Sequence, residues 1–302
     1  MKPRKVLTGF MLLLLAIAIF LLGMLTQSRQ WPPTASLARW QADLRAAGLL
    51  PPAEISIRSD AAAHELRPCP AAGPRTMTAL IIGQSHAANT IGERFQARAG
   101  VFNVFAGKCY AARDPLLGTS DSLGNLWTLI GDELVASGAF DNVMLVTAAI
   151  SGSRIAEWAP GGGLHDHLLK AVRSLGPDRF THVFLMQGES DLEDGTPSDL
   201  YRTRLLAVID TLRQTGVRAS AFIATESGFC GQYGAAAPAD NAIVRVQQDV
   251  VSAHRSIFAG PNIDRDLTAG SDRYDGCHLS GNGARKLSRL WREAIAAQTA
   301  KR

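Results

Sequence analysis

Short apolar runs alternate with segments of helical periodicity along the chain after residue 75. The apolar runs are almost continuous, which is typical of strands buried on both faces of a parallel sheet. The intervening segments repeat apolar residues at helical spacing. This alternation predicts an α/β fold, a three-layer α/β/α sandwich around a five-stranded parallel sheet. The predicted strands are Met77–Ile82, Val101–Phe105, Asn142–Ala149, His182–Met186 and Ala219–Thr225, and the predicted helices are Ala88–Ala99, Trp127–Ser137, Leu164–Leu175, Ser198–Thr215, Asn241–Arg255 and Gly283–Ala297.

A basic flank and a long apolar run open the chain. Lys2, Arg4 and Lys5 precede an uncharged segment from Val6 to Leu25, and a helix of that length at ~1.5 Å per residue spans a hydrocarbon core of ~30 Å. A cleaved signal peptide has a shorter apolar region followed by a small-residue cleavage site. We therefore expect an uncleaved signal-anchor transmembrane helix, with a removed signal peptide as the alternative. The basic flank predicts a cytoplasmic tip and an extracytoplasmic remainder, either periplasmic or at the cell surface.

Composition divides the chain into three predicted segments. Residues 1–28 hold the cytoplasmic tip and the transmembrane helix. Residues 29–75 are rich in proline and alanine around one short helical pattern, which is typical of a stalk. Residues 76–302 carry the alternating βα pattern and form the predicted globular domain.

The chain has 4 cysteines, which face an oxidising compartment in this predicted topology. An even number of cysteines outside the cytoplasm favours disulfide pairing. We expect Cys230 to pair with Cys277, and Cys69 to pair with Cys109. Buried unpaired thiols are the alternative.

Charge and motif content argue against several classes of function. The net charge is +4 over 302 residues and the arginines are scattered, which argues against a nucleic-acid-binding surface. No Gly-x-Gly-x-x-Gly follows the first predicted strand, which argues against a dinucleotide site. His165 and His167 lack a third ligand nearby in the sequence, and no Cys-x-x-Cys occurs. We therefore expect neither a metal nor an organic cofactor.

Candidate catalytic residues follow the predicted strands, because reactive groups of open α/β sheets gather at the carboxyl ends of strands. Ser85 follows the first strand, but a serine nucleophile needs a base that is oriented by a carboxylate. Asp275 and His278 lie three positions apart in one loop, so the carboxylate can reach the imidazole, and Gly276 permits the turn. The alternative is a surface turn in which His278 caps the last helix.

Two further elements could stabilise an oxyanion. Gln187 follows the fourth predicted strand and precedes Gly188 and Glu189, and a side-chain amide at that edge can donate to a developing negative charge. Gly124 precedes a predicted helix and could expose its backbone N–H. Taken alone, the first element is more often a polar turn, and the second is more often an ordinary loop glycine.

Together these elements resemble the SGNH hydrolase superfamily, and within it the sialate O-acetylesterase-like group of carbohydrate esterases. The resemblance extends over residues 76–297. His86 stands where the group usually has an asparagine after the nucleophile. The matching blocks are Gly83-Gln84-Ser85-His86, Arg113-Asp114-Pro115-Leu116 with Gly124 and Trp127, Gln187-Gly188-Glu189 with Asp191, and Asp275-x-x-His278.

The resemblance implies a flavodoxin-like fold and a serine esterase. It implies Ser85 as the nucleophile, His278 as the general base and acid, and Asp275 as the residue that orients His278. The implied oxyanion donors are the N–H of Ser85, the N–H of Gly124 and the side-chain amide of Gln187. The implied supports of the site are the side chains of Gln84 and Glu189.

The expected reaction is removal of O-acetyl groups from a carbohydrate through an acyl-enzyme, without a cofactor. The expected partners are an acetylated carbohydrate and, through the N-terminal helix, a membrane. A polysaccharide O-acetyltransferase that uses the same site is one alternative. A catalytically inactive glycan-binding protein is the other.

Overall fold

The structure is a computed structural model that describes residue 20 and residues 56–225, 241–268 and 270–299. Most of these residues belong to the compact unit Ile55–Arg302, which is described below, whereas the other unit is Met1–Glu54. The predicted signal anchor, apart from Phe20, and the first part of the predicted stalk lie outside the described residues. Within the described ranges, no helix combines the length and the apolar character that crossing a membrane requires.

A mixed sheet of eight strands forms the centre of this unit. All five predicted strands are confirmed, but the prediction of a five-stranded, wholly parallel sheet is wrong because three further strands extend it. The order across the sheet is β1-β4-β3-β5-β2-β6-β7-β8. The strands are β1 (Leu66–Arg67), β2 (Thr76–Gly83), β3 (Val101–Phe105), β4 (Lys108–Ala111), β5 (Asn142–Thr147), β6 (His182–Met186), β7 (Ser220–Thr225) and β8 (Ile257–Asn262).

The three missed strands carry weak sequence signals. β4 follows β3 through Ala106 and Gly107, whose φ angles of 49° and 76° suit a tight antiparallel hairpin. β1 has only 2 residues, and β8 contains Gly260 and Pro261, which disfavour a strand assignment. β1 and β4 are antiparallel to their neighbours, so the sheet is parallel only from β3 to β8 in the spatial order.

Helices cover both faces of the sheet, which confirms the three-layer arrangement. The helices are α1 (Leu126–Ala136), α2 (Ile155–Trp158), α3 (His165–Arg173), α4 (Glu189–Glu193), α5 (Ser198–Gln214), α6 (Ala242–Ala253), α7 (Ile263–Asp266) and α8 (Gly281–Thr299). Side chains of β2 alternate between two hydrophobic clusters, with Leu80 and Ile82 in one and Ala79 and Ile81 in the other. Helices α5 and α6 pack on the first cluster, and α1 and α8 pack on the second.

The predicted helix Ala88–Ala99 is wrong. A single 3-10 turn, Ser85–Ala87, is followed by an irregular segment that pairs through isolated bridges with residues 113–124. Asn89 explains part of the difference, because its buried side chain donates to the Leu116 carbonyl and accepts from the Leu116 N–H. A side chain that bonds to a distant backbone in this way competes with helix formation.

One predicted disulfide is present among the described residues. Cys69 and Cys109 form a disulfide bond. This bond connects the segment after β1 with strand β4. Cys277 is also disulfide-bonded. The pairing predicted for it involves Cys230, which lies outside the described residues.

Candidate active site

Ser85 lies where β2 ends against β6. Gly83 has a φ angle of 145°, and a Cβ there would lie 1.9 Å from the Met186 carbonyl oxygen, so only glycine permits this close approach. The Gln84 N–H donates to the same carbonyl at 2.9 Å. The chain then enters the 3-10 turn with Ser85 at its first position and with 6% of that residue exposed.

Asp275 and His278 form the contact predicted from their spacing. His278 Nδ1 lies 2.7 Å from Asp275 Oδ2, and Asp275 Oδ1 accepts the N–H groups of Cys277 and His278 at 2.9 and 2.7 Å. Partial burial alone would raise the pKa of Asp275, but these hydrogen bonds outweigh it and lower the pKa to about 2. The carboxylate is therefore ionised at neutral pH and positioned to hold His278 in one orientation.

Ser85 and His278 belong to segments that lie side by side. The rings of His86 and His278 have centroids 6.1 Å apart, and His86 directly follows Ser85. The described residues include no hydrogen bond between the Ser85 hydroxyl and the His278 ring. Catalytic hydrogen bonds of unliganded enzymes are often long and tighten only with substrate.

The expected oxyanion donor Gly124 is engaged elsewhere. Its N–H donates to the Ile91 carbonyl at 2.9 Å, and a Cβ at this position would lie 1.7 Å from the Glu93 carbonyl oxygen. The glycine is therefore required by close backbone contact. Its N–H can reach an oxyanion only if the bond to Ile91 breaks.

The side chain of Gln187 is wholly buried and also engaged. Its Nε2 lies 2.5 Å from Asp191 Oδ2 and 3.3 Å from the Ser153 carbonyl. Asp191 Oδ2 accepts the Ile155 N–H at 2.8 Å as well. In this arrangement Gln187 joins the loop after β6 to the start of α2, and donation to an oxyanion requires the amide to turn.

Gln84 joins the ends of β2 and β6. Its Oε1 accepts the N–H groups of Gly188 and Ser190, each at 3.3 Å. Its Nε2 donates to the Ser190 hydroxyl at 3.3 Å. These hydrogen bonds connect the segment that carries Ser85 to the residues that follow β6.

Glu189 forms a buried pair with His86 that the sequence did not predict. His86 Nδ1 lies 2.5 Å from Glu189 Oε1, with side-chain exposures of 0% and 5%. Burial would raise the pKa of Glu189, but the charge and hydrogen bond of His86 outweigh it, so the pKa lies below its usual value. The only sequence signal for this pair was His86 itself, which stands where the similar esterases usually have an asparagine.

Asp114 is a buried acid to which the sequence assigned no role. Its Oδ2 accepts the N–H groups of Phe95 and Asn125, both at 2.8 Å, and its Oδ1 accepts the Thr128 hydroxyl at 2.6 Å. Burial raises its pKa to about 7, although these hydrogen bonds act in the opposite direction. Asp114 therefore organises the start of α1 and the loop that contains Gly124.

Substitution of Asp114 by asparagine is expected to change how stability depends on pH. With a folded-state pKa raised from 3.8 to about 7, the native protein holds a proton that the unfolded chain releases, so wild-type stability falls as pH rises from about 4 to about 7. The introduced amide can keep the bonds to both N–H groups and donate to Thr128 without ever ionising. Between pH 5 and pH 8, the unfolding free energy of the wild type should therefore fall by about 2–3 kcal/mol relative to that of D114N.

Urea unfolding of the full chain at both pH values measures this difference. The exposed residue Asp199 supplies the matched control D199N, which should follow the wild type. Parallel pH curves for D114N and the wild type would contradict a raised pKa at Asp114.

No cluster of three or more metal-ligating side chains occurs in the part of the chain that the structure describes. His165 Nδ1 lies 3.1 Å from the Trp158 carbonyl, and His167 Nε2 lies 3.1 Å from the Ala148 carbonyl. Both histidines thus serve as local hydrogen-bond partners in this structure.

A family model described as "Carbohydrate esterase, sialic acid-specific acetylesterase" matches residues 111–296, which is more than half of the chain. The match includes Gln187, Asp275 and His278, and it begins after Ser85. Comparison with the curated proteins finds no match.

Several solved structures share the fold. A protein from Arabidopsis thaliana is 17% identical, with a TM-score of 0.55 and coverage of 75% of this chain and 99% of its own. NanS is 14% identical, with a TM-score of 0.53 and coverage of 75% and 98%. A carbohydrate acetylesterase from Xanthomonas citri is 15% identical, with a TM-score of 0.51 and coverage of 73% and 57%. At these identities the likeness concerns the fold alone.

Proposed function

The chain belongs to the carbohydrate esterase family of sialic acid-specific acetylesterases, and from this premise we propose that it removes O-acetyl groups from a carbohydrate through the triad Ser85, His278 and Asp275. The observation that carries the proposal is the contact of 2.7 Å between His278 Nδ1 and Asp275 Oδ2, in a segment adjacent to that of Ser85. An imidazole held in this way has its Nε2 available to accept a proton.

The proposed reaction has two halves. Ser85 Oγ attacks the acetyl carbonyl carbon while His278 Nε2 takes the hydroxyl proton, and Asp275 stabilises the imidazolium that forms. His278 then donates this proton to the departing sugar oxygen, which leaves an acetyl ester on Ser85. Water, deprotonated by His278, attacks that ester, and acetate departs as the proton returns to Ser85.

The Ser85 N–H is the proposed oxyanion donor that needs no rearrangement. It lies at the start of the 3-10 turn, where the first N–H groups have no acceptor within the turn. Gly124 and Gln187 remain proposed donors, but each must first give up its bond to Ile91 or Asp191. Substrate binding would have to supply that rearrangement.

We place the catalytic domain outside the cytoplasm as part of this proposal. The Cys69–Cys109 disulfide supports this location, because such bonds persist in oxidising compartments. The proposed anchor is the apolar run from Val6 to Leu25.

A panel of O-acetylated glycans, incubated with the full chain, tests the reaction through measurement of free acetate. We expect acetate release by the wild type and its loss in S85A, whereas S252A, at an exposed serine on α6, should retain it. Fluorophosphonate should modify Ser85 in the wild type. Equal modification of S85A, or none of the wild type, would refute the serine esterase, and acetyl transfer to added glycan in preference to water would refute the hydrolase.

A further inference from the structure

The chain neighbours of the two proposed catalytic residues contact each other. His86 follows Ser85, Cys277 precedes His278, and His86 Nε2 lies 3.2 Å from the Cys277 carbonyl oxygen. This contact joins the segment that ends β2 to the loop before α8. A shift of either segment at this point would change the separation of Ser85 and His278.

His86 is itself held in place by a buried partner. Its ring has no exposed surface, and its Nδ1 lies 2.5 Å from Oε1 of Glu189, the first residue of α4. Two contacts on opposite ring nitrogens fix both the position and the tilt of an imidazole. The support therefore runs from α4 through His86 to Cys277.

The same peptide segment is held on both sides. Arg273 Nη1 donates to the Cys277 carbonyl at 2.5 Å, which reinforces the His86 contact. Asp275 Oδ1 accepts the N–H groups of Cys277 and His278. Because Arg273 and Asp275 belong to the loop itself, they shape it, whereas His86 relates it to the segment of Ser85.

Both ring nitrogens of His86 lie near an acceptor oxygen, and Nε2 also lies 3.4 Å from Arg273 Nη1. Glu189 contacts His86 directly, and Asp264 lies 3.9 Å from Arg273. An imidazolium can donate from Nδ1 to Glu189 and from Nε2 to Cys277 at the same time.

We propose that His86 is a positioning residue that sets the separation of Ser85 Oγ and His278 Nε2 through its hydrogen bond to the Cys277 carbonyl, with Glu189 holding the ring. This inference rests on the proposed function. Displacement of a reacting group by about 1 Å can lower a rate by about 10²-fold, so loss of the link should reduce turnover without removing a catalytic group.

Two amide variants separate the two bonds of His86. The Nε2 of glutamine in H86Q reaches the place of the histidine Nε2 and keeps the bond to Cys277. The Nδ2 of asparagine in H86N reaches the place of Nδ1 and keeps the bond to Glu189. We expect H86N to lower kcat on p-nitrophenyl acetate and the rate of Ser85 modification by about 10²-fold with KM within about threefold, and H86Q to stay within about tenfold.

Measurements on the full chain, with H254Q at an exposed histidine as the matched control, decide the matter. Equal losses in H86N and H86Q, or a change in KM alone, overturn the positioning role. Should either variant fail to fold, nitrogen-15 NMR of the wild type decides, because the link requires an exchange-protected His86 Nε2–H and its absence overturns the proposal. A wild type that fluorophosphonate does not modify refutes the proposed function instead.

Discussion

Replacement of His278 by glutamine is expected to lower kcat on an O-acetylated substrate by about 10⁴–10⁶-fold, with little change in KM. Glutamine keeps a polar group near the place of Nε2, but it cannot accept the Ser85 proton at neutral pH. A serine hydroxyl without a base is a weak nucleophile. Loss of the base alone therefore removes almost all of the advantage of a triad, whereas groups that bind the sugar stay in place.

Steady-state kinetics of the full chain, with acetate as the measured product, check this expectation. H254Q makes the same chemical change at an exposed position at the end of α6 and should keep the wild-type kcat. Circular dichroism confirms that both variants fold. A folded H278Q that retains more than about one hundredth of the wild-type kcat would contradict His278 as the general base.

Local patterns predicted the parts of this structure that depend on local chemistry. The five apolar runs became strands, and β2 shows the reason most clearly, because all of its residues are buried. The contact between Asp275 and His278 followed from their spacing, since a short loop with Gly276 at a φ angle of 85° can turn the two side chains together. Ser85 follows the end of β2, where the apolar run before it predicts a strand end.

The polar partners inside the protein could not be predicted in this way. Gly124 and Gln187 were expected to donate to an oxyanion, but the distant residues Ile91 and Ser153 supply acceptors for them. Gln187 has a further acceptor nearby in Asp191. The failed helix after residue 88 has the same origin, because Asn89 bonds to Leu116 rather than to its own neighbours. Periodicity reports which face of a segment is buried, but not what its polar groups meet.

Asp114 and His86 illustrate a further limit. Each was visible in the sequence as part of a motif or as a departure from one, but its role depends on buried partners on other elements. Asp114 collects three hydrogen bonds around the start of α1, and His86 joins α4 to the loop of His278. Both positions show that the support of a site is encoded in tertiary contacts more than in its motif.

Substitution of Asp275 by asparagine should lower kcat by about 10³–10⁴-fold while the loop keeps its shape. The amide oxygen of the new side chain can still accept the N–H groups of Cys277 and His278, which leaves its NH₂ group facing His278 Nδ1. That nitrogen must then act as an acceptor, so the neutral ring carries its proton on Nε2, where it cannot take one from Ser85. The variant also lacks the negative charge that would stabilise the imidazolium.

The pH dependence of stability gives an independent check on Asp275. Because its folded-state pKa is lowered to about 2, its stabilising contribution is complete above the unfolded-state pKa of about 4 and is lost as pH falls from about 4 to about 2. D275N should lack that loss, whereas D199N, at an exposed aspartate, should show it. A D275N variant with the wild-type kcat would contradict the orienting role of Asp275. A D275N variant that loses stability in acid as the wild type does would contradict the lowered pKa of Asp275. The two tests are independent, because kcat reports how the carboxylate holds His278, whereas acid stability reports when that carboxylate takes up a proton.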